Sequence, residues 1–313
     1  MVEKLTDLTT FFANLEYKKF YYHRYSGNNG DTLIDIGTQV FFRKHKINII
    51  NDINECDCII LCGGGGIVKE WQVGIEFLSF ANSNFPNIPI IVLPSTLGKG
   101  DLDLVSNFEK REANFYIWAR EKYTFDILRS YSKENFYVGI DHDMAMHAKD
   151  LYNSVVTKQK EGFILIVERF DAEFNVSEAN ILKKKSFLYK RVLRLIQKLI
   201  PGRLLRNFKT PGWKNRVFVK ASLQEIYNDY PKAKKLNIIY CDISLRKKAT
   251  YREFINIVKG AAFISTTRLH VAILGYLLNK PVYIKYGENL EHKIKGVYEF
   301  SLKGNPLVKT LDF

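Results

Sequence analysis

Nowhere do the 313 residues hold the roughly 18 consecutive uncharged apolar residues that a membrane-spanning helix needs. The N-terminal Met1-Val-Glu-Lys-Leu-Thr-Asp is charged early and has no apolar core, so no secretory signal is expected and the default is a cytoplasmic protein. Cysteine is scarce. Cys56, Cys58, Cys62 and Cys241 are too few for a disulfide framework at this length. The first three cluster, but inside Cys56-Asp-Cys-Ile-Ile-Leu-Cys62, an apolar run that reads as a strand with all three on one face. No histidine-rich partner segment follows, so structural thiols of a reducing compartment are expected rather than a zinc site, with no metal and no cofactor. The glycine patterns contain neither a dinucleotide fingerprint nor a Walker loop. Internal repeats and low-complexity tracts are also missing.

Acidic residues vanish from one stretch. From Lys183 to Lys220 there are 13 Lys or Arg and no Asp or Glu, against a net charge of +14 for the whole chain. Such a strip implies an anionic surface or substrate. Within it, Leu188, Val192, Leu195, Ile196 and Leu199 fall on one helical face, with Lys184, Lys185, Lys190, Arg191, Arg194 and Lys198 around the rest. A cationic helix over 184–200 followed by Trp213 fits peripheral contact with an anionic membrane. A domain helix with a solvated basic face fits the same residues. The strip carries no aromatic-interleaved RNA motif or helix-turn-helix pattern, so no nucleic-acid partner is expected.

What is present is an alternation of short apolar strands and helices. Strands are predicted at 20–24, 59–62, 88–93, 115–119, 136–140, 162–167, 236–240, 262–264 and 282–284. Helices are predicted between many of them, including 69–81, 251–259 and 269–278. The polar stretch from Lys149 to Glu161 reads as a linker. It gives an N-terminal domain of 1–155 and a C-terminal domain of 156–313, both Rossmann-like α/β. The first strand runs into Ser26-Gly-Asn-Asn-Gly-Asp31, where Asp31 is placed to cap a helix. Four glycines, Gly63 to Gly66, follow the second buried strand and suggest close approach to the backbone by a sugar, a phosphate or a neighbouring domain, or else a tight packing turn.

Near the C-terminus, Gly260-Ala-Ala-Phe-Ile-Ser-Thr-Thr-Arg268-Leu-His270 reads as strand, small-residue turn and helix start. The carboxyl edge of a parallel sheet is where α/β proteins bind ligands, and a helix N-terminus favours anions. Arg268 and His270 therefore read as an anion clamp and a proton donor. A salt bridge to the next strand and a core histidine are the alternatives.

The run Ser265-Thr-Thr-Arg-Leu-His270, then Lys280-Pro281 and Lys293-Ile-Lys-Gly-Val-Tyr-Glu299, resembles the signature end of the polysaccharide pyruvyltransferase family. The Gly27-Asn-Asn-Gly-Asp31 turn, the glycine turn, Ala119-Arg-Glu121, Asp143-Met-Ala145 and Arg169 with Asp171 and Glu173 are similar to further family positions. The resemblance implies two Rossmann-like domains facing across a cleft, as in GT-B glycosyltransferases. It implies transfer of pyruvate from phosphoenolpyruvate to a saccharide, usually as a cyclic ketal, in exopolysaccharide or capsule biosynthesis. Arg268, Arg169, His270 and Lys293 would bind the donor. Asn29, Gly30, Asp31, Gly64 and Gly65 would meet the acceptor, which is read as lipid-linked. Asp31 or Asp143 would take the hydroxyl proton, with Asp141 and His142 beside Asp143 in reserve. His270 would donate a proton or contact phosphate. A GT-B glycosyltransferase using a nucleotide sugar is the alternative activity.

Overall fold

The computed structural model describes residues 5–68, 73–98, 111–130, 134–153, 162–169, 213–286 and 291–311. The chain packs as two compact α/β units. One comprises Met1–Gly27, Asp31–Ala148 and Lys295–Lys303; the other comprises Asn28–Gly30, Lys149–Ile294 and Gly304–Phe313.

The first unit is built on a six-stranded parallel sheet. Its strands are β1 (Phe20–His23), β2 (Ile49–Ile50), β3 (Cys58–Leu61), β4 (Ile90–Ser95), β5 (Phe115–Ala119) and β6 (Phe136–Ile140), ordered β2-β1-β3-β4-β5-β6. Helices α1 (Leu8–Ala13), α2 (Asn29–Lys44), α3 (Val73–Asn84) and α4 (Lys122–Arg129) alternate with them. Every residue of β3, β4 and β5 is buried. Strands covered on both faces need continuous apolar runs, which is why Cys-Ile-Ile-Leu and Phe-Tyr-Ile-Trp-Ala were readable. Pro94 has no N–H to give the ladder, and the β4–β5 register shifts between Val92 and Ser95 around it.

The second unit holds a five-stranded parallel sheet. Its strands are β7 (Phe163–Val167), β8 (Ile238–Tyr240), β9 (Ala261–Thr266), β10 (Val282–Ile284) and β11 (Val308–Thr310), ordered β11-β10-β9-β7-β8. Helices α5 (Lys149–Asn153), α6 (Val217–Asp229), α7 (Tyr251–Gly260), α8 (Leu269–Leu277) and α9 (Glu291–Val297) complete the described elements. Helix α7 starts at a capping box: Thr250 accepts from the Glu253 N–H while Glu253 accepts from the Thr250 N–H. Helix α8 is buried on nearly all its residues, which explains an apolar sequence with no polar stripe.

Several expectations shift. β9 continues through Ser265 and Thr266, so two residues of the supposed turn belong to the strand. The first part of the supposed linker is helix α5, which packs against α8 and joins α7 through a 2.9 Å hydrogen bond between the Tyr152 and Tyr251 hydroxyls. Helix α6 and the edge strands β2 and β11 were not anticipated. The basic helix over 184–200 lies outside the described residues. Trp213, read as a membrane anchor beside it, is buried and stacks on Tyr240 at 5.2 Å between centroids. Among the described residues no helix is long and apolar enough to cross a membrane.

Candidate active site

In the second unit, β7 and β9 are parallel neighbours with Val167 opposite Thr266. Short hydroxyl side chains tie their carboxyl ends together. The Thr267 N–H donates to the Val167 carbonyl at 3.0 Å, and the Thr267 Oγ1 accepts the Arg169 N–H at 2.7 Å. Thr266 Oγ1 accepts the Arg268 N–H at 2.9 Å. Arg169 and Arg268 therefore leave the sheet from adjacent strand ends. Arg268 occupies the N-cap position of α8 with extended backbone, and His270 lies in that helix's first turn. Lys293, on α9, is largely buried.

The Arg268 guanidinium has a partner that sequence reading did not single out. Its Nη2 lies 2.5 Å from Asp242 Oδ2 and its Nε 3.2 Å from Asp242 Oδ1. Both side chains are more than nine-tenths buried. A forked, charge-assisted pair fixes the guanidinium plane. Arg268 is thus salt-bridged, though to the residues after β8, two strands from β9, rather than to the neighbouring strand. Asp242 follows β8, one strand over from β7, so strand-end reasoning applied to Tyr240-Cys-Asp242 would have found it. Next to Arg169, Glu168 is committed to internal contacts, accepting from Arg216 Nε at 2.8 Å and from the Tyr240 hydroxyl at 2.7 Å. Burial first and the Glu168 carboxylate second push the Tyr240 phenol far above its ordinary range.

The Asn28–Gly30 segment belongs to this same unit. Asn28 Oδ1 accepts the Gly30 N–H at 2.6 Å, so Asn28 caps α2, and Asp31 sits inside the first turn rather than at the cap. Asn29 is fully buried. Its Nδ2 donates to the Ile243 carbonyl at 2.9 Å and the Ala249 carbonyl at 2.8 Å, and its backbone N–H donates to the Ser244 carbonyl at 2.8 Å. The amide protons of Asn29 thus hold the 243–249 loop. A Cβ at Gly30 would lie 2.5 Å from His270 Nδ1. Only glycine lets the imidazole lie against this turn, so Gly30 and His270, 240 positions apart in the sequence, form one surface.

The carboxyl edge of the first unit is organised differently. Arg120, at the end of β5, is fully buried, with Nη1 at 2.6 Å from Asp143 Oδ2 and Nε at 2.8 Å from Thr96 Oγ1. Asp143, also fully buried, accepts the Ala145 N–H at 2.9 Å as well. Glu121 caps α4, accepting the Thr124 N–H and hydroxyl; burial raises its carboxyl above the ordinary range against those bonds. Asp141 accepts the Leu8 and His142 N–H groups, each at 2.7 Å, and His142 Nδ1 meets Ser301 Oγ at 2.8 Å. Asp31 is half-buried, with Oδ2 so close to Gly27 that a Cβ there would lie 1.9 Å away.

For the glycine run the packing alternative is what the structure displays. A Cβ on Gly63 would lie 2.6 Å from the Pro94 carbonyl oxygen, and one on Gly66 would lie 2.3 Å from the Tyr25 ring. Gly64 is buried at φ +109°, with Ile34 in the direction of a Cβ. Gly64 thus stands at a packing position, and Gly65 is half-buried. The neighbouring thiols are buried as expected; burial pushes Cys62 up to about 12 and Cys58 well above its ordinary value, which keeps both protonated.

The structure comprises two parallel-sheet α/β units, one of which carries Arg169, Arg268 and His270 at the carboxyl edge of its sheet. The family model described as polysaccharide pyruvyl transferase matches residues 5–286, and the chain belongs to that family. It is 26% identical over 181 residues to "Putative pyruvyl transferase EpsO" of Bacillus subtilis (strain 168), over 53% of this chain and 55% of that protein. The match thus spans about half of that relative's length. Among solved structures, an uncharacterized protein from Klebsiella pneumoniae subsp. pneumoniae aligns with a TM-score of 0.61 at 23% identity, over 94% of this chain and 93% of that one. That likeness concerns the fold.

Proposed function

We propose that this chain transfers the pyruvyl unit of phosphoenolpyruvate to a pair of saccharide hydroxyls, forming a cyclic ketal on a lipid-linked precursor of a surface polysaccharide. The observation that carries the reading is the pair of arginines at the tied ends of β7 and β9, beside His270 on the Gly30 turn. Family membership supports pyruvyl transfer. Phosphoenolpyruvate bears a phosphate and a carboxylate, which two guanidiniums match.

In the proposed reaction one acceptor hydroxyl adds its oxygen to C2 of the donor. His270 supplies a proton to C3, and a carboxylate takes the hydroxyl proton. Asp31 suits that role better than Asp143, since Asp31 is half-buried and follows Gly30 directly, whereas Asp143 is fully buried against Arg120. Phosphate then leaves C2, taking the proton held by the carboxylate, while the second hydroxyl bonds to C2 and returns its proton to His270, which closes the ketal and releases inorganic phosphate. Arg268, Arg169 and Lys293 hold the donor. Under this reading the donor lies at the carboxyl edge of the second unit's sheet. The protein works at the cytoplasmic face of the membrane.

The test is phosphate release from phosphoenolpyruvate with galactose- and mannose-type acceptors, free and lipid-linked, with mass spectrometry of the acceptor. Acceptor-dependent release with a pyruvyl mass gain is expected. Consumption of nucleotide sugars without release would replace this reading with glycosyl transfer.

A further inference from the structure

The loop from Cys241 to Thr250 joins β8 to α7 and carries cations that the proposed chemistry does not use. Arg246, Lys247, Lys248 and Arg252, with Glu253 and Asn256 among the other lining residues, surround a cavity of about 620 Å³. Small-molecule sites commonly measure about 300–1,000 Å³, more than a single phosphate requires. Four cations meet one carboxylate. Glu253 Oε2 accepts the Thr250 N–H at 3.0 Å and the Thr250 hydroxyl at 3.1 Å, which fixes this carboxylate at the start of α7. Arg252 and Asn256 are four apart on α7 and share a face. Arg246, Lys247 and Arg252 are exposed, while Lys248 is half-buried.

Like charges gathered within seven positions repel one another, and a flexible loop would let them separate. This loop is held. Asn29 bonds the carbonyls of Ile243, Ser244 and Ala249, and Arg268 grips Asp242 at the loop's start. The protein thus keeps a concave, strongly cationic surface in a fixed shape. Arginine forks and lysine ammoniums on one wall suit paired tetrahedral phosphates.

We propose that this cavity binds a diphosphate group, the anionic anchor of the saccharide acceptor. Because β8 pairs in parallel with β7, the loop leaves the same sheet edge as Arg169. Asp242 links the two sites, pairing with Arg268 and opening the cation-bearing loop. The identity of the saccharide rests on the pyruvyl-transfer reading; diphosphate binding is tested without it.

The experiment is calorimetric titration of the full chain with inorganic pyrophosphate, inorganic phosphate and phosphoenolpyruvate at low and high salt. Pyrophosphate is expected to bind at least tenfold more tightly than phosphate and to weaken with salt. The exposed-residue variant Lys247→Glu/Arg252→Glu loses at least tenfold in pyrophosphate affinity and keeps its phosphoenolpyruvate affinity within about twofold. The milder Lys247→Gln/Arg252→Gln shows the same pattern at smaller size, which separates charge from misfolding. Pyrophosphate no tighter than phosphate, or equal binding by the variants, overturns the proposal. Competition against pyrophosphate then uses a nucleoside-diphosphate sugar, a lipid diphosphate sugar in neutral micelles, and phosphatidylglycerol vesicles. Displacement by either diphosphate supports the site and names its source; displacement by neither, or by vesicles alone, overturns it. Pyrophosphate binding without phosphoenolpyruvate binding sinks the pyruvyl-transfer reading and leaves this site standing; the converse sinks this site alone.

Discussion

Arg120 and Arg268 occupy equivalent places, each following a buried strand of a parallel sheet and each paired with an aspartate, yet their surroundings differ. Arg120 is sealed with Asp143 and Thr96, near a glycine turn that packs on β4 and on Tyr25. Arg268 pairs with Asp242 beside half-buried Arg169, a first-turn histidine and a loop that presents four cations. A strand-end arginine marks a position. Burial and the supply of neighbouring charge decide whether it braces the fold or meets a ligand.

The comparison breaks most readily at Arg120. Arg120→Met leaves Asp143 buried without its counter-ion, which costs about 3–5 kcal/mol. Urea unfolding followed by hydrogen exchange should show the loss in β4 to β6 and little change in β7 to β9. A small loss there, with phosphoenolpyruvate affinity abolished instead, would move Arg120 into a binding site. Arg268→Ala is next. Removing a charged hydrogen-bond donor costs about 1.5–3 kcal/mol, so donor affinity should fall about 10- to 100-fold in calorimetry. Arg268→Lys should recover little, because an ammonium lacks the fork. Gly66→Ala drives a methyl group into the Tyr25 ring and should cost about 1–3 kcal/mol in thermal or urea melts while leaving donor affinity intact.

The smallest effect concerns pH. In the first unit His23, His45 and His147 all have pKa values depressed below 6.5, with burial the leading cause in each. The folded state holds them neutral. As pH falls through 6.5 the unfolded chain takes up protons first, so this unit loses stability progressively until the folded values are passed. In the second unit Asp229 is held below 3.8 by hydrogen bonds from Lys309 and Tyr283. Its contribution is complete above 3.8 and fades only as pH drops through that value toward the folded one. Exchange at pH 7.5 and 5.5, corrected for intrinsic rates, should therefore show the first unit loosening while the second holds. Equal loosening would remove this difference between the units.

Much of the fold was legible because parallel strands buried on both faces demand uninterrupted apolar runs, and nine segments supply them. Helix α6 was hidden because Lys220 extends the acid-free strip into it, so charge masked the burial of Phe218, Val219 and Ile226. The three-residue β11 is too short for any period to show. The strand-end positions of Arg169, Arg268 and His270 were legible, and their partners were not. Asn29 bonds a carbonyl 214 positions away, and nothing local to Gly-Asn-Asn-Gly announces that contact. The glycine run left two readings open for a physical reason: a close approach by one's own backbone and a close approach by a ligand demand the same residue.

The central claim is that the donor site belongs to the edge formed by β7, β8 and β9. Hydrogen exchange of the full chain with and without saturating phosphoenolpyruvate tests it most directly. Protection is predicted in 163–169, 238–250 and 261–272, with β3, β5 and the glycine run unchanged. Protection confined to 58–68 and 115–121, with the second unit's edge exchanging as before, would contradict it.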